Sequence, residues 1–408
     1  MLAVLVLAIG ACGIGATEFG ASGLLPHIAR EYGVSIPDAG YAVSGYAMGV
    51  VISAPLMALL STRLPARRLL ILLMALFTAG NVIAAVAPTF AVLLVGRVVT
   101  SLAHAAFFGA GSLVAARLAP PGKQAQAIAH MFVGLTLANV VAVPLGTFVG
   151  EYADWRLTFA LIAALGAVTT AGIARYVPHI PAPPAGPGAV ARQLKVFRSP
   201  QLLMAMAMTV LGFGGVFAVL TYIAPLLTRT AGYGDGAVTW LLALFGVGMT
   251  FGNVIGGRCA DRSPKESLLI ALAGLALALA TFTVTSSSKP AVACSLAVTG
   301  ALGFATVPLL QKLVLDHAAD APAFASALNF GAFNLGNGLA AWLGGLAIGS
   351  GTNYAITGWV GAALATLALA IALASTALQR RTPNQEGAKG HRRSPAPSNP
   401  DGGQTVAG

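Results

Sequence analysis

The stretch PHIPAPPAGPGAVARQLKVFRSP, residues 178–200, decides the fold. It is rich in Pro and Gly and then basic, with long apolar runs on both sides, which is typical of a linker between folded units. About 20 apolar residues cross a bilayer as a helix. Runs of that kind, six before the linker and six after it, are 1–26, 39–60, 69–87, 90–116, 126–150, 157–177, 201–227, 237–257, 267–287, 290–313, 323–349 and 355–378. The sequence therefore predicts an all-α integral membrane protein of twelve transmembrane helices.

The composition and the linker also predict the domain organisation. Of the residues, 57% are hydrophobic and 9% are charged, against about 25% charged in soluble domains. We expect a six-helix bundle over 1–177, a cytoplasmic linker over 178–200 and a second bundle over 201–378. The tail, 379–408, is polar and rich in Pro, Gly and Ser, which predicts disorder.

A weak internal repeat relates the two halves. ALLSTRLPARRLL at 58–70 and GRCADRSPKESLL at 257–269 both place an Arg and a Pro at matched positions of a short basic turn. Each follows the second span of its half. We interpret this as duplication, and duplicated pseudo-symmetric bundles are the usual architecture of alternating-access transporters.

The positions of the basic residues predict the orientation. With the N-terminus inside, 18 of the 23 Lys and Arg residues fall on the cytoplasmic side, four fall outside, and Arg97 lies within a span. Cytoplasmic loops carry the excess of positive charge, so both termini are expected on the cytoplasmic side. The net charge of +11 is then explained by the basic residues of the cytoplasmic loops. A nucleic-acid partner would need a soluble basic domain, so none is expected.

The first run could instead be a cleaved signal, since IGAC at 9–12 resembles a lipoprotein cleavage box. A signal has a basic segment before its apolar core, whereas the first base here is Arg30. We therefore favour a membrane span, and an upstream start of the chain stays open. The cysteines, Cys12, Cys259 and Cys294, are too scattered to indicate a metal site or a disulfide framework.

Glu18 is the only charge in the first predicted span, within GATEFGASGLLP at 15–26. A charged residue at the bilayer centre costs about 2.5 to 3.5 kcal/mol on insertion scales. Glu18 lies eight residues below Pro26, and Arg97 lies seven below Phe90 on an opposed span, so both lie about 10 to 12 Å deep. They are either a proton site, with Arg97 as the electrostatic partner of Glu18, or a static buried ion pair.

Arg97 begins a polar stripe on the fourth span. Arg97, Ser101, His104 and Phe108 share one helix face, which must meet protein or a wet cavity because lipid would not accept it. His104 is a candidate proton relay, since imidazole titrates near neutral pH. Alternatively, it only hydrogen-bonds a neighbouring backbone carbonyl.

The fifth span carries small residues at every fourth position. They are Gly134, Ala138, Ala142, Gly146 and Gly150. Such stripes let helices approach closely in lipid, and Pro144 is expected to bend the helix. The stripe serves either packing alone or conformational change.

The second half supplies aromatic and amide groups in place of deep charges. They are Phe213 and Phe217 on the seventh span, and Phe330, Phe333, Asn334 and Asn337 on the eleventh. Aromatic walls with a few polar groups suit a small-molecule pocket, to which Phe108 would add, although aromatics at helical spacing also form plain core. Charges in one half and aromatics in the other predict partly separate ion and substrate sites.

Five segments carry a family resemblance. They are GATEFGASGLLP (15–26), GRVVTSLAHAAFFGAG (96–111), GLTLANVVAVPLGT (134–147), DWRLTF (154–159) and ALNFGAFNLGNGLAAWLGG (327–345). Over essentially 1–378 the chain resembles the major facilitator superfamily, in its twelve-span drug:proton antiporter branch. Arabinose efflux permeases and, less closely, chloramphenicol exporters are the members it resembles.

This resemblance implies that spans 1 and 4 line a central cavity and that the fifth span, with Pro144 and Gly146, seals the halves. Thr147 replaces a second glycine that is usual there. The loop motif of the family keeps its Asp and Arg in the second half as Asp261 and Arg262, which implies a role in the inward gate. The first half departs from this motif at the Gly, Asp and Gly positions, which hold Ala58, Thr62 and Pro65.

The sequence and the resemblance together predict a proton-coupled antiporter that exports a small drug-like or metabolite substrate. No Gly-rich phosphate loop followed by Lys-Ser or Lys-Thr occurs, and no clustered catalytic set indicates an enzyme. We expect no cofactor or metal, and protons, a small molecule and lipid as the partners of a monomer. A proton-independent facilitator or a sugar or nucleoside transporter is the alternative, and a membrane enzyme or a receptor-like protein is a distant one.

Overall fold

The computed structural model describes residues 2–60, 64–120, 124–179, 198–318, 322–351 and 353–381. Most of the predicted linker and tail, 180–197 and 382–408, lies outside the described residues, as does Thr62. The helices are α1 Leu2–Tyr32, α2 Ile36–Ala39, α3 Tyr41–Leu60, α4 Ala66–Ala85, α5 Phe90–Ser101, α6 His104–Leu118, α7 Gln124–Leu137, α8 Val143–Tyr152, α9 Trp155–Tyr176, α10 Pro200–Met208, α11 Gly214–Thr221, α12 Ile223–Pro225, α13 Asp235–Arg262, α14 Pro264–Thr285, α15 Lys289–Asp316, α16 Pro322–Gly349 and α17 Ile356–Arg381.

Twelve membrane spans are confirmed. Within the described ranges, ten helical segments are long and apolar enough to cross a membrane, and α3 and α16 complete the twelve. Two spans combine α-helices with π-helical turns: the fifth has one at Ala138–Ala142, and the seventh has two, at Thr209–Phe213 and Leu226–Thr230. The turn at Ala138–Ala142 comes directly before Pro144, where the sequence predicts an interrupted hydrogen-bond ladder.

Helix α1 is longer than the predicted first span. It continues through Pro26 to Tyr32, where the run was expected to end at Pro26. Beyond the proline, Ile28 and Ala29 are buried, so packing of this last stretch offsets the backbone hydrogen bond that Pro cannot donate. We call the end of the bundle that holds Tyr32 the Tyr32 end, and the opposite one the Leu2 end.

The packing of the helices is pseudo-symmetric. In the first half α4 packs on α9, and in the second half α14 packs equivalently on α17. Likewise, α3 packs on α5 and α6 as α13 packs on α15. The halves meet along two matching seams, α3 with α16 and the α7–α8 span with α13. Two six-helix bundles therefore face each other, with α1 contacting α11, α12 and α13 across the interface.

Close backbone approach fixes the second seam and the packing of the fifth span. A side chain at Gly246 of α13 would collide with the carbonyl of Asn139 in the π-helical turn, and one at Gly134 would collide with the carbonyl of Ala8 in α1. A Cβ at Gly146 would lie 2.7 Å from Thr158 of α9. The small-residue stripe of the fifth span thus packs on helices of its own half, while its π-helical turn reaches the other half.

Candidate functional site

Glu18 lies buried in the middle of α1, with 8% of its surface exposed. Asn337 Nδ2 of α16 donates a hydrogen bond of 3.3 Å to Glu18 Oε1. On the other side, His104 Nε2 lies 3.9 Å from Glu18 Oε2. The carboxyl group therefore stands where the two halves meet, between an amide of the second half and an imidazole of the first.

His104 connects Glu18 to a phenol. Its Nδ1 hydrogen-bonds Tyr46 Oη of α3 at 3.0 Å, and both side chains are buried. The carboxyl of Glu18, the imidazole of His104 and the hydroxyl of Tyr46 thus lie next to one another in a row. The partner of His104 Nδ1 is therefore a side-chain hydroxyl and not the neighbouring backbone carbonyl of the packing interpretation.

Arg97 is fully buried at the level of Glu18 but turns to its neighbour. Its Nε donates to the carbonyl of Ala42 at 2.9 Å and its Nη1 to the carbonyl of Thr17 at 2.8 Å. The guanidinium also lies over the ring of Tyr46, 4.4 Å from its centroid. Its Nη2 makes no hydrogen bond within the described part of the chain.

The expected direct pairing of Arg97 with Glu18 is not formed in this conformation. Among the described residues, no ion pair within 4.0 Å joins the two. The donors Nε and Nη1 of Arg97 are bound instead to the carbonyls of Ala42 and Thr17. The sequence predicted how deep Arg97 lies in its span. The structure shows which neighbouring helices its guanidinium contacts.

Two polar residues of the site escaped the sequence analysis. Tyr46 holds His104 and Arg97, and Asn81 of α4 accepts a hydrogen bond of 2.9 Å from Thr17 Oγ1. The signal for Asn81 was present, because an amide inside an apolar span requires a partner. Tyr46 gave no such signal, since a tyrosine near a span end is common.

The predicted pocket residues Phe108 and Phe330 stack on each other across the halves. Their rings are 5.6 Å apart and 5° from parallel, and Phe132 of α7 stacks on the other face of Phe108 at 5.1 Å. His104 packs beside both, 5.5 Å from Phe108 and 6.4 Å from Phe330. An aromatic stack thus closes the interface on the Leu2 side of Glu18.

The other predicted aromatic residues form a second cluster. Phe213 packs edge-on against Phe333 at 4.9 Å and lies 5.8 Å from Phe217. Two residues that the sequence analysis did not select complete it: Phe304 lies 5.2 Å from Phe213, and Phe19 lies 5.5 Å from Phe217. Through Phe19, which follows Glu18 in α1, this cluster joins the first half to the second.

The amides of α16 divide into two kinds. Asn334 donates to the carbonyl of Phe330 in its own helix at 3.1 Å, whereas Asn337 reaches Glu18. The carbonyl oxygens of both amides lack a partner in the described part of the structure. Of the predicted substrate residues, Asn337 contacts Glu18, and Phe108 and Phe330 contact His104. Partly separate ion and substrate sites remain a prediction.

A polar cavity of about 450 Å³ opens between the halves at the Tyr32 end. Its lining includes Gly23 and His27 of α1, Glu151 of α8 and Asp235 of α13. His27 Nε2 lies 3.3 Å from Glu151 Oε2, so this histidine, which the sequence analysis did not select, belongs to a charged vestibule. Gly23 is five residues from Glu18, or about 7 to 8 Å along the helix.

The predicted gate residues Asp261 and Arg262 lie apart from these groups. They end α13 at the Leu2 end and are exposed. The matching loop of the first half falls partly outside the described residues. No group of three or more His, Cys, Asp or Glu side chains that could hold a metal is found in the described chain.

Comparisons with known proteins agree with this architecture. The family model of the Major Facilitator Superfamily matches residues 7–320 and 220–404. The inner membrane transport protein YdhP of Escherichia coli K12 is 44% identical over 93% of this chain and 97% of its own length. A chloramphenicol resistance protein of Streptomyces lividans is 33% identical over 91% and 95%.

A solved structure shows the same fold. The D-xylose-proton symporter superposes with a TM-score of 0.73 at 16% identity, over 90% of this chain and 96% of its own. The helix count, the paired six-helix bundles and the family match lead to one conclusion. This chain is a transporter that belongs to the Major Facilitator Superfamily.

Proposed function

We propose that the protein exports a small drug-like or metabolite compound in exchange for protons, by alternating access in a bacterial inner membrane. One observation carries the proposal: Glu18 is buried between the halves, next to Asn337 and His104, and forms no ion pair within 4.0 Å with Arg97. A bare carboxylate in such a place is expensive. Proton uptake removes that cost, so closure of the interface is coupled to protonation.

The site suggests separate roles for its residues. Glu18 carries the proton. His104 and Tyr46 orient the carboxyl group of Glu18 and extend the path along which the proton moves. The unpartnered Nη2 of Arg97 is a donor that the carboxylate gains when the site rearranges and loses its proton. The aromatic cluster around Phe213 and Phe333 offers an apolar wall to the substrate.

One relative supports the export assignment, and another supports the location in an inner membrane. The name of the relative from Streptomyces lividans refers to chloramphenicol resistance, and YdhP is described as an inner membrane protein. We propose a monomer with both termini cytoplasmic, in which the Tyr32 end faces the periplasm. Asp261, Arg262, Pro144 and Gly146 are proposed to serve the conformational change.

Proteoliposomes that enclose the pH dye pyranine test this proposal. Chloramphenicol, L-arabinose and uridine are added in turn to the wild type, to Glu18→Gln and to the control Glu266→Gln, whose carboxyl is exposed. We expect at least one compound to drive proton movement in the wild type and the control. Glu18→Gln should lose proton movement but keep counterflow of that compound, which requires no net proton transfer.

The alternative function predicts a different result. If uptake of the transported compound is the same with and without an imposed pH gradient, the protein is a proton-independent facilitator. Equal proton movement in the wild type and Glu18→Gln would remove Glu18 from the mechanism.

A further inference from the structure

Asn337 is the amide through which the second half touches the proton site. It is 1% exposed, and its Nδ2 donates to Glu18 Oε1 at 3.3 Å. Its Oδ1 is buried without a hydrogen-bond partner among the described residues. The amide of Asn337 thus has a donor bound to Glu18 and an acceptor without a described partner.

An amide responds differently to the two states of a carboxyl group. A carboxylate only accepts hydrogen bonds, so it can take the N–H of Asn337 but leaves Oδ1 unpaired. A protonated carboxyl has an O–H that can donate to Oδ1 while its other oxygen accepts from Nδ2. Proton uptake therefore turns a single bond with an orphaned acceptor into a matched pair of bonds.

We infer that Asn337 transmits the protonation state of Glu18 to the second half, so that protonation closes the interface and deprotonation releases it. The inference rests on the proposed proton-carrying role of Glu18. In the closed interface the protonated pair satisfies both groups and buries no charge. Loss of the proton leaves a charge and an unpaired oxygen, and opening the interface to water relieves both.

Within the described ranges, the other titratable or charged groups near Glu18 belong to its own half. They are Tyr46 of α3, Arg97 of α5 and His104 of α6, and α11, GGVFAVLT, has no titratable side chain. Because these three groups move with Glu18, they bias its proton affinity without themselves linking it to the second half. Asn337 is on α16, which must separate from α3 when the halves part.

The packing around Asn337 makes this contact sensitive to separation. A Cβ at Gly338 would lie 3.4 Å from Ala47 Cβ, and one at Gly331 would lie 3.4 Å from Ala54 Cβ, both on α3. The hydrogen bond to Glu18 therefore lies within a tight helix contact. A shift of α16 by a few ångströms breaks it.

Asn334 provides a matched control. It lies one turn away on the same helix, is 2% exposed and also has an unpartnered Oδ1. Its amide, however, donates to the carbonyl of Phe330 within α16. Replacement of Asn334 by Leu makes the same chemical change without removing a hydrogen bond between the halves.

Distance measurements between spin labels test the inference without a substrate. Labels replace the exposed residues Pro88 and Ser287, which lie at the Tyr32 end of the first and second half, after the native cysteines are changed to Ser. Double electron–electron resonance is recorded in lipid nanodiscs at pH 5.5 and 8.5. The full chain is used in the wild type, Glu18→Gln, Asn337→Leu, Asn337→Gln and Asn334→Leu.

We expect the wild type and Asn334→Leu to shift from a short to a long distance as the pH rises. Glu18→Gln, which is always neutral and can pair with Asn337, should stay at the short distance at both pH values. Asn337→Leu should lower the closed-to-open ratio at pH 5.5 by about five- to thirtyfold, as loss of one or two hydrogen bonds predicts. Asn337→Gln, which keeps the amide, should restore part of this ratio.

A pH response of Asn337→Leu equal to that of the wild type would overturn the inference, and so would an equal loss in Asn334→Leu. A wild-type distribution that ignores pH would overturn it as well. The proposed antiport is judged separately by the pyranine assay. Proton movement that persists in Asn337→Leu together with an unchanged distance response refutes the role of Asn337 and leaves the antiporter intact.

Discussion

Arg97 shows how a charge is kept inside a bundle without a counter-ion in contact. Its guanidinium donates to the carbonyls of Thr17 and Ala42 and stacks on Tyr46. Hydrogen bonds to charged groups contribute about 1.5 to 3 kcal/mol each. The planar fork of arginine serves two carbonyls and a ring at once, which an ammonium group does not. Arg97 therefore ties α5 to α1 and α3 beside Glu18.

At this scale we predict the effect of Arg97→Lys. The lysine keeps the charge but loses one hydrogen bond to a backbone carbonyl and the stacking contact with Tyr46. The melting temperature of the variant in detergent should therefore fall by about 2 °C or more. Proton movement in the pyranine assay should fall with it, because the groups that position Glu18 shift. Differential scanning fluorimetry measures the first effect, with the exposed Arg175→Lys as the control. Identical melting of both variants would contradict this account.

At the scale of elements, the two aromatic groups have different roles. The stack of Phe132, Phe108 and Phe330 joins α7 and α6 to α16 across the halves. The pair of Phe213 and Phe333 instead lies within the second half. The stack consequently closes the Leu2 side of the interface, while the pair braces one bundle.

This difference predicts that Phe330→Ala opens the Leu2 side and Phe333→Ala does not. Aromatic pairs contribute about 0.5 to 1.5 kcal/mol beyond area burial, so the open fraction should rise about two- to tenfold. The labelling rate of Ala54→Cys by N-ethylmaleimide, in a chain without other cysteines, reports it, because Ala54 is buried under Gly331. Equal labelling rates in the two variants would show that the stack does not close this side.

The contrast between depth and direction explains what the sequence could predict of these elements. Distance from a span end multiplied by the helical rise places Glu18 and Arg97 at one level. The direction of a side chain toward another helix depends on how the helices pack, and hydropathy does not encode it. The turn of Arg97 toward Thr17 and the ring stack of Phe108 with Phe330 were therefore beyond sequence reasoning.

At the scale of the whole molecule, the site depends on the meeting of two separately patterned halves. Glu18 and Asn337 are 319 residues apart. Apolar runs and a Pro/Gly-rich linker predicted twelve helices and their division, because bilayer thickness fixes the length of each run. No local pattern relates the first span to the eleventh, so the contact that joins the proton site to the second half required the structure.

The charge distribution leads to the last prediction, the orientation of the molecule. With the N-terminus inside, the sequence assigns 18 Lys and Arg residues to the cytoplasmic loops or the tail and four to the opposite side. Positive loops remain in the cytoplasm, so alkaline phosphatase fused after Gly232 should be active, and the same enzyme fused after Ser263 should be inactive. Green fluorescent protein at these points should give the opposite pattern. The reverse result would place the vestibule of His27 and Glu151 on the cytoplasmic side and invert the proposed direction of proton entry to Glu18.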